Sequence, residues 1–260
     1  MSTNIPIQAI GDGVWVHTSD RGRTTSTIVA LDNTSCMLID PAITPSDLGA
    51  IADFIEKEGL RVTLGWSTHA HWDHVLWSAR FGVDVPRLAV SANVDTCKAE
   101  LTELQEYIGQ QSPGHDVDLC GLLTTWSNIK SLWPANCQVI EHRAHAPGHA
   151  ALWITDRQIL VAGDMVSDIE IPTLDLEQSD PLSDYLDALD LYAQLLDQVV
   201  AFIPGHGRPG DQGELDRRIT LDRRYLDDIA TGTSTSDDRI RAQWLQEHHE
   251  RQAAWAKGQR

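Results

Sequence analysis

"WSTHAHWDHVLW", residues 66–77, places three histidines and one aspartate within six positions: His69, His71, Asp73 and His74. Imidazole and carboxylate at this density are poor core material, because every buried polar group needs a partner. Both are good ligands for divalent metals. The strand-like run "RVTLGW" (61–66) leads straight into the cluster, which places it on a loop at a strand end.

Three further signals resemble the first. His149 stands in "APGHA", Asp164 in "VAGD" and His206 in "IPGHG". Each lies beside a predicted strand on a turn marked by Gly or Pro, where a rigid sheet can gather distant side chains. The steps are 75 residues from His74 to His149, 15 more to Asp164 and 42 more to His206, which rules out one local zinc finger. Five imidazoles and two carboxylates exceed the three or four protein ligands of one tetrahedral zinc. They suit two metals, about 3.5–4 Å apart, that share a carboxylate. Histidine and aspartate without sulfur are compatible with Zn, Fe or Mn and do not choose among them.

HxHxDH followed by a PGH, a GD and a second PGH, in this order, resembles the metallo-β-lactamase superfamily over roughly residues 5–210. The resemblance implies an α/β fold, a four-layer αβ/βα sandwich with the site at one edge between the sheets. It implies that His69, His71 and His149 hold a first metal, that Asp73, His74 and His206 hold a second, and that Asp164 bridges them. It further implies two Zn2+ per chain and a bridging hydroxide that cleaves an ester-like bond in a lactone, thioester or other small acyl compound. Asp73 is the expected catalytic residue, orienting the hydroxide and taking its proton.

Departures from the pattern narrow this reading. True β-lactamases of the superfamily usually carry Cys or Ser where Asp164 stands. The glyoxalase II type usually has a glycine soon after HxHxDH, where this chain reads "DHVLWSARFG". Acyl-homoserine lactonases place a tyrosine where Ser167 stands, and the HxExD redox branch is excluded by His71. Small-molecule phosphodiester hydrolysis and a mononuclear iron, sulfur dioxygenase-type oxidation are the alternatives. A non-catalytic relative would usually have lost a ligand, and none is missing. His17, His115, His142, His145, His248 and His249 match no motif and are read as ordinary histidines, His145 among them although it stands only four residues before His149.

Composition agrees with a small-molecule enzyme. The formal net charge of −18 opposes both nucleic-acid phosphate and anionic membrane surfaces. No run approaches the ~18 apolar residues of a membrane span. The first residues, "MSTNIPIQAIGDG", lack the basic and apolar regions of a signal peptide, so a cytoplasmic location is expected. Cys36, Cys97, Cys120 and Cys137 form no CxxC pair and are expected to be reduced thiols. No heptad pattern speaks to oligomeric state.

Short strands alternate with amphipathic helices along the chain. "TPSDLGAIADFIEKEG" (44–59) predicts a helix with Thr44 as N-cap, Pro45 at N1 and Asp47 at N3. "VDTCKAELTELQEYIG" (94–109) predicts one continuous helix after a strand "RLAVSAN" (87–93). The acid-rich run 163–180 reads as a solvated loop near the site mouth, and "RRITLDRR" (217–224) as a solvated helix face. Trp72, between two ligands, is expected under the metals or lining the pocket; Trp126 and Trp133, within 109–137, are expected in the core rather than in a lid. A catalytic unit of residues 1–213 is expected, with C-terminal helices in 214–260 packed on it, the second beginning near Asp237.

Overall fold

The computed structural model describes residues 7–259, so residues 1–6 of the expected 1–213 unit and the last residue lie outside the described part. Two sheets face each other. The first runs in sequence order through β1 (Gln8–Gly11), β2 (Val14–Thr18), β3 (Thr25–Ala30), β4 (Ser35–Ile39), β5 (Arg61–Trp66), β6 (Arg87–Ala89) and β7 (Thr124–Thr125). It begins as an antiparallel meander and becomes parallel from β4 onward. Helix α1 (Pro45–Lys57) makes the crossover from β4 to β5, and α2 (Ser91–Ala99) and α3 (Leu101–Gln111) lie between β6 and β7. The second sheet contains β8 (Cys137–His142), β9 (His149–Ile154), β10 (Ile159–Gly163), β11 (Ala201–Pro204) and β12 (Gly210–Asp211), in the order β12-β11-β10-β9-β8. Helix α4 (Pro181–Ala193) connects β10 to β11, which pair in parallel, and α5 (Gln212–Thr231) and α6 (Gln243–Gln259) close the chain.

Alternation along the strands sorts side chains into layers. Val14, Val16, Met37, Leu64 and Trp66 from the first sheet meet Leu152, Ile154, Val161 and Ile203 from the second. The opposite face of the first sheet, with Ile28, Leu38 and Val62, takes the apolar stripe Leu48, Ile51, Ala52 and Ile55 of α1. Leu160 and Phe202 on the outer face of the second sheet pack with Tyr185 and Leu189 of α4, with Leu215, Ile219 and Leu226 of α5, and with Leu245 of α6. The order is therefore helix, sheet, sheet, helix: the four-layer αβ/βα sandwich. The helices after residue 213 share a buried cluster with the second sheet. Among the described residues no helix is long and apolar enough to cross a membrane.

Local signals hold where side chains close their own hydrogen bonds. Thr44 Oγ1 accepts the Asp47 N–H and Asp47 accepts the Thr44 N–H, a complete capping box on α1. The four cysteines are free and buried. Trp126 and Trp133 pack against the inter-sheet core, with Trp133 4.8 Å from Trp66 between ring centroids.

Several expectations are corrected. The helix expected over 94–109 is two, because Glu100 leaves helical geometry (φ −116°, ψ 18°). Val94 and Cys97 of α2 face a cluster with Val75 and Leu123, whereas Ile108 of α3 faces the α1 layer. One straight rod could not fill both. The strand expected over 87–93 stops at Ala89, and Ser91 already belongs to α2. The last helix begins at Gln243 rather than Asp237, because Asp237 accepts both the backbone N–H and the guanidinium of Arg239 and holds the segment in turns. The acid-rich run is not simply solvated: Met165, Val166, Ile171 and Leu174 are buried. Arg218 is 2% exposed, held by Glu214 and the carbonyl oxygens of Val166 and Arg208.

Candidate metal centre

The site lies where strand ends of both sheets converge. The loop after β5 carries His69, His71, Asp73 and His74, the last two on a short 3-10 turn, Trp72–His74. Its anchor is Asp40, at the end of β4. Asp40 accepts the Thr68 N–H at 2.8 Å, the Thr68 hydroxyl at 2.6 Å and His74 Nδ1 at 3.0 Å. That bond puts the His74 proton on Nδ1 and turns Nε2 inward. Asp40 was missed in the sequence because it matches no spaced ligand motif; its only signal is a carboxylate after an apolar strand.

The second sheet supplies the rest. Parallel pairing of β10 and β11 sets Gly163 beside Pro204, which brings Asp164 and His206 together. The fit demands glycine. A Cβ on Gly205 would lie 1.9 Å from Asp164 Oδ1, and one on Gly163 2.4 Å from His149 Nε2. His206 Nδ1 donates to the Gly22 carbonyl at 2.8 Å, and a β-bridge between Thr24 and His206 ties the two sheets together here.

Asp164 sits at the centre. Its Oδ2 lies 3.4 Å from His69 Nε2, 3.3 Å from His145 Nε2 and 3.3 Å from His206 Nε2; its Oδ1 lies 3.2 Å from His74 Nε2. Two groups of potential ligand atoms result, each with its members within 4.8 Å of one another: His69, His71, His145 and Asp164, and Asp73, His74 and His206. In the first, both His69 Nε2 and His145 Nε2 approach His71 Nδ1 at 3.0 Å. In the second, Asp73 Oδ2 is 3.4 Å from His206 Nε2 and accepts the Thr24 hydroxyl at 3.4 Å.

His149 is placed differently from the expectation. Its Nε2 accepts the Asp164 backbone N–H at 3.0 Å and its Nδ1 faces His142 Nε2 at 3.2 Å, so both ring nitrogens are engaged. Its ring stacks on that of His69, with the centroids 5.0 Å apart. His145, expected to be an ordinary histidine, stands instead with His69, His71 and Asp164. The signal was its place on the same "HRAHAPGH" turn, where a residue at positive φ (68°) can swing a ring across the strand end. His17 pairs with Asp47, His142 approaches the Tyr192 hydroxyl, and His115 meets the Ile43 carbonyl, as ordinary histidines do. Trp72 packs edge-on against Tyr107, under the Arg21 guanidinium, on the helix side of the loop.

The residues fit divalent metal. Burial, with help from neighbouring imidazoles, holds His69 and His149 well below the usual histidine range, so their rings stay neutral. Burial opposes protonation of His206 too, but Asp164, Glu170 and Asp73 outweigh it and push that histidine up to about 10. The carboxylate cluster thus requires positive charge close by. Asp164 Oδ1 is buried and makes no hydrogen bond of acceptable geometry among the described residues. Imidazole nitrogens converging on such an oxygen form a ligand set rather than a self-satisfied network.

No family model and no curated protein sequence matches the chain. Solved structures do. The chain is similar to the DIM-1 metallo-beta-lactamase (TM-score 0.56, 16% identity, covering 84% of this chain and 97% of that one). It is similar to a beta-lactamase domain protein from Burkholderia ambifaria (TM-score 0.61, 17% identity, 89% and 77%). It is also similar to a metallo-beta-lactamase from Pontibacter korlensis (TM-score 0.54, 17% identity, 84% and 98%). At these identities the likeness establishes the fold: the chain has the metallo-β-lactamase fold.

Proposed function

We propose that this chain is a dinuclear metal hydrolase, with zinc as the working metal, that cleaves an ester-like bond in a lactone, thioester or other small acyl compound. The observation that carries the reading is the position of Asp164, whose two carboxylate oxygens lie within 3.4 Å of four imidazole nitrogens belonging to both ligand groups. His69, His71 and His145 would hold one ion, Asp73, His74 and His206 the other, and Asp164 both. His149 takes the role of a support that fixes Asp164 through its backbone N–H. Divalent ions bound there supply Lewis acidity and bring the acidity of water into the neutral range.

The chain's own residues do the remaining work. Asp73 is buried to 8% exposure yet keeps one face towards the site, with Oδ2 beside Thr24 and His206. A carboxylate in that position orients the attacking water and accepts its proton. The Asp40 bond to His74 Nδ1 fixes the tautomer and aim of that ring, which is how a supporting carboxylate sharpens a ligand. His71, the exposed member of the group, opens the centre to substrate.

The test is turnover by zinc-loaded protein on a panel of lactones, thioesters, aryl esters, β-lactams and phosphodiesters, with an oxygen electrode run on a persulfide. Hydrolysis confined to the acyl compounds other than β-lactams is the expected outcome. Activity on phosphodiesters alone, or oxygen uptake with the persulfide, would overturn it.

A further inference from the structure

Beside His206 the C-terminal segment borders an open cavity of about 490 Å³. That volume falls in the range of small-molecule sites, roughly 300–1,000 Å³. Its wall reaches the candidate centre through two residues. The Gly22 carbonyl accepts His206 Nδ1 at 2.8 Å, and Glu170 Oε1 lies 3.5 Å from the same nitrogen. The far wall is Ala242, Trp244 and Leu245, and most of the lining surface is apolar.

Some polar groups of the lining are paired within the wall, while the Arg23 guanidinium and the exposed Arg241–Asp238 pair stay open to solvent. Asp168 accepts the Arg208 N–H at 2.8 Å, and Arg239 is held between Asp222 and Asp237. Arg241 pairs with Asp238 at 3.3 Å. An aliphatic chain would find Ile169, Ala242, Trp244 and Leu245.

We propose that this cavity receives the aliphatic acyl chain of the substrate, with Ala242 and Trp244 setting the length accepted. The proposal rests on the hydrolase reading and names its substrate class: medium-chain acyl compounds rather than acetyl or polar ones. Because the far wall comes from residues after 213, specificity would reside in the C-terminal extension while the metal ligands stay on the sandwich.

The experiment uses the zinc-loaded full chain and p-nitrophenyl esters from acetate to octanoate, with calorimetric binding of octanoate and acetate measured on the same samples. kcat/KM should rise by up to about fourfold per added CH2 until the cavity is full, the worth of burying a methylene. Ala242→Phe, which fills the cavity, and Trp244→Ala, which removes its 45%-exposed rim, should each lower the octanoate-to-acetate ratio at least tenfold. Trp244→Ala keeps the test sound should the larger side chain impair folding. A flat chain-length profile, or a ratio unchanged in both variants, overturns the proposal. If no p-nitrophenyl ester is cleaved, the lactone and thioester assays decide the hydrolase reading and binding decides the cavity: octanoate held more tightly than acetate, and released in the variants, upholds it, whereas equal or absent binding overturns it.

Discussion

Replacing Asp73 by Asn is expected to cut kcat by about 10²–10⁴, the usual worth of a positioned acid or base, or roughly 3–5 kcal/mol of transition-state stabilisation. Asparagine keeps the shape and one oxygen donor, so His74 and His206 retain their neighbour. It loses the negative charge and the ability to take a proton. The Thr24 hydroxyl, 3.4 Å from Asp73 Oδ2, can still donate to the amide oxygen, so the loop should keep its course. The measurement is kcat on the best acyl substrate alongside metal content. Wild-type kcat with full metal content would reduce Asp73 to a ligand and send the proton elsewhere.

Asp222→Ala is expected to cost about 3 kcal/mol of stability and lower Tm on the order of 10 °C, because it leaves a buried guanidinium with one carboxylate where it had two. Arg239 is 6% exposed and Asp222 1% exposed, joined at 2.6 Å, with Asp237 as the second carboxylate. Burial raises the Asp222 carboxyl to about 6 even with Arg239 opposing, a mark of how costly the charge is there. Arg239 Nη1 also donates to the Ser167 carbonyl at 3.1 Å, and the Ser167 hydroxyl donates to the His206 carbonyl at 2.8 Å. The damage should therefore reach the metal-binding loops. Thermal and urea unfolding of Asp222→Ala, and of the double variant Asp222→Leu/Arg239→Met, check this. The double variant should recover little of the loss, because removing Arg239 leaves the buried Asp237 carboxylate without its guanidinium; a single variant within a degree or two of wild type would contradict it.

What could be read from the sequence was what short-range chemistry encodes. The capping box of α1, the strands that run into the loops of His69, Asp164 and His206, and the hairpin of β9 and β10 follow from local periodicity and Gly/Pro punctuation. The sandwich came from the order of four spaced motifs. Side-chain direction at a turn was not legible: whether His145 or His149 faces Asp164 depends on backbone φ at position 145 and on the Asp164 N–H, which spacing does not specify. Nor was Arg239 legible as an anchor, since its partners Asp222 and Ser167 lie 17 and 72 residues away. The break at Glu100 likewise came from two clusters competing for one amphipathic stretch.

The account turns on two metal ions held around Asp164. Zinc content per chain, measured after loading and exhaustive dialysis against metal-free buffer, tests it most directly. About two equivalents are predicted for the wild-type chain and about one for His145→Ala, since a dinuclear site loses one ion with one ligand group. One equivalent in the wild type, or a single iron that excess zinc cannot displace, would contradict the dinuclear centre.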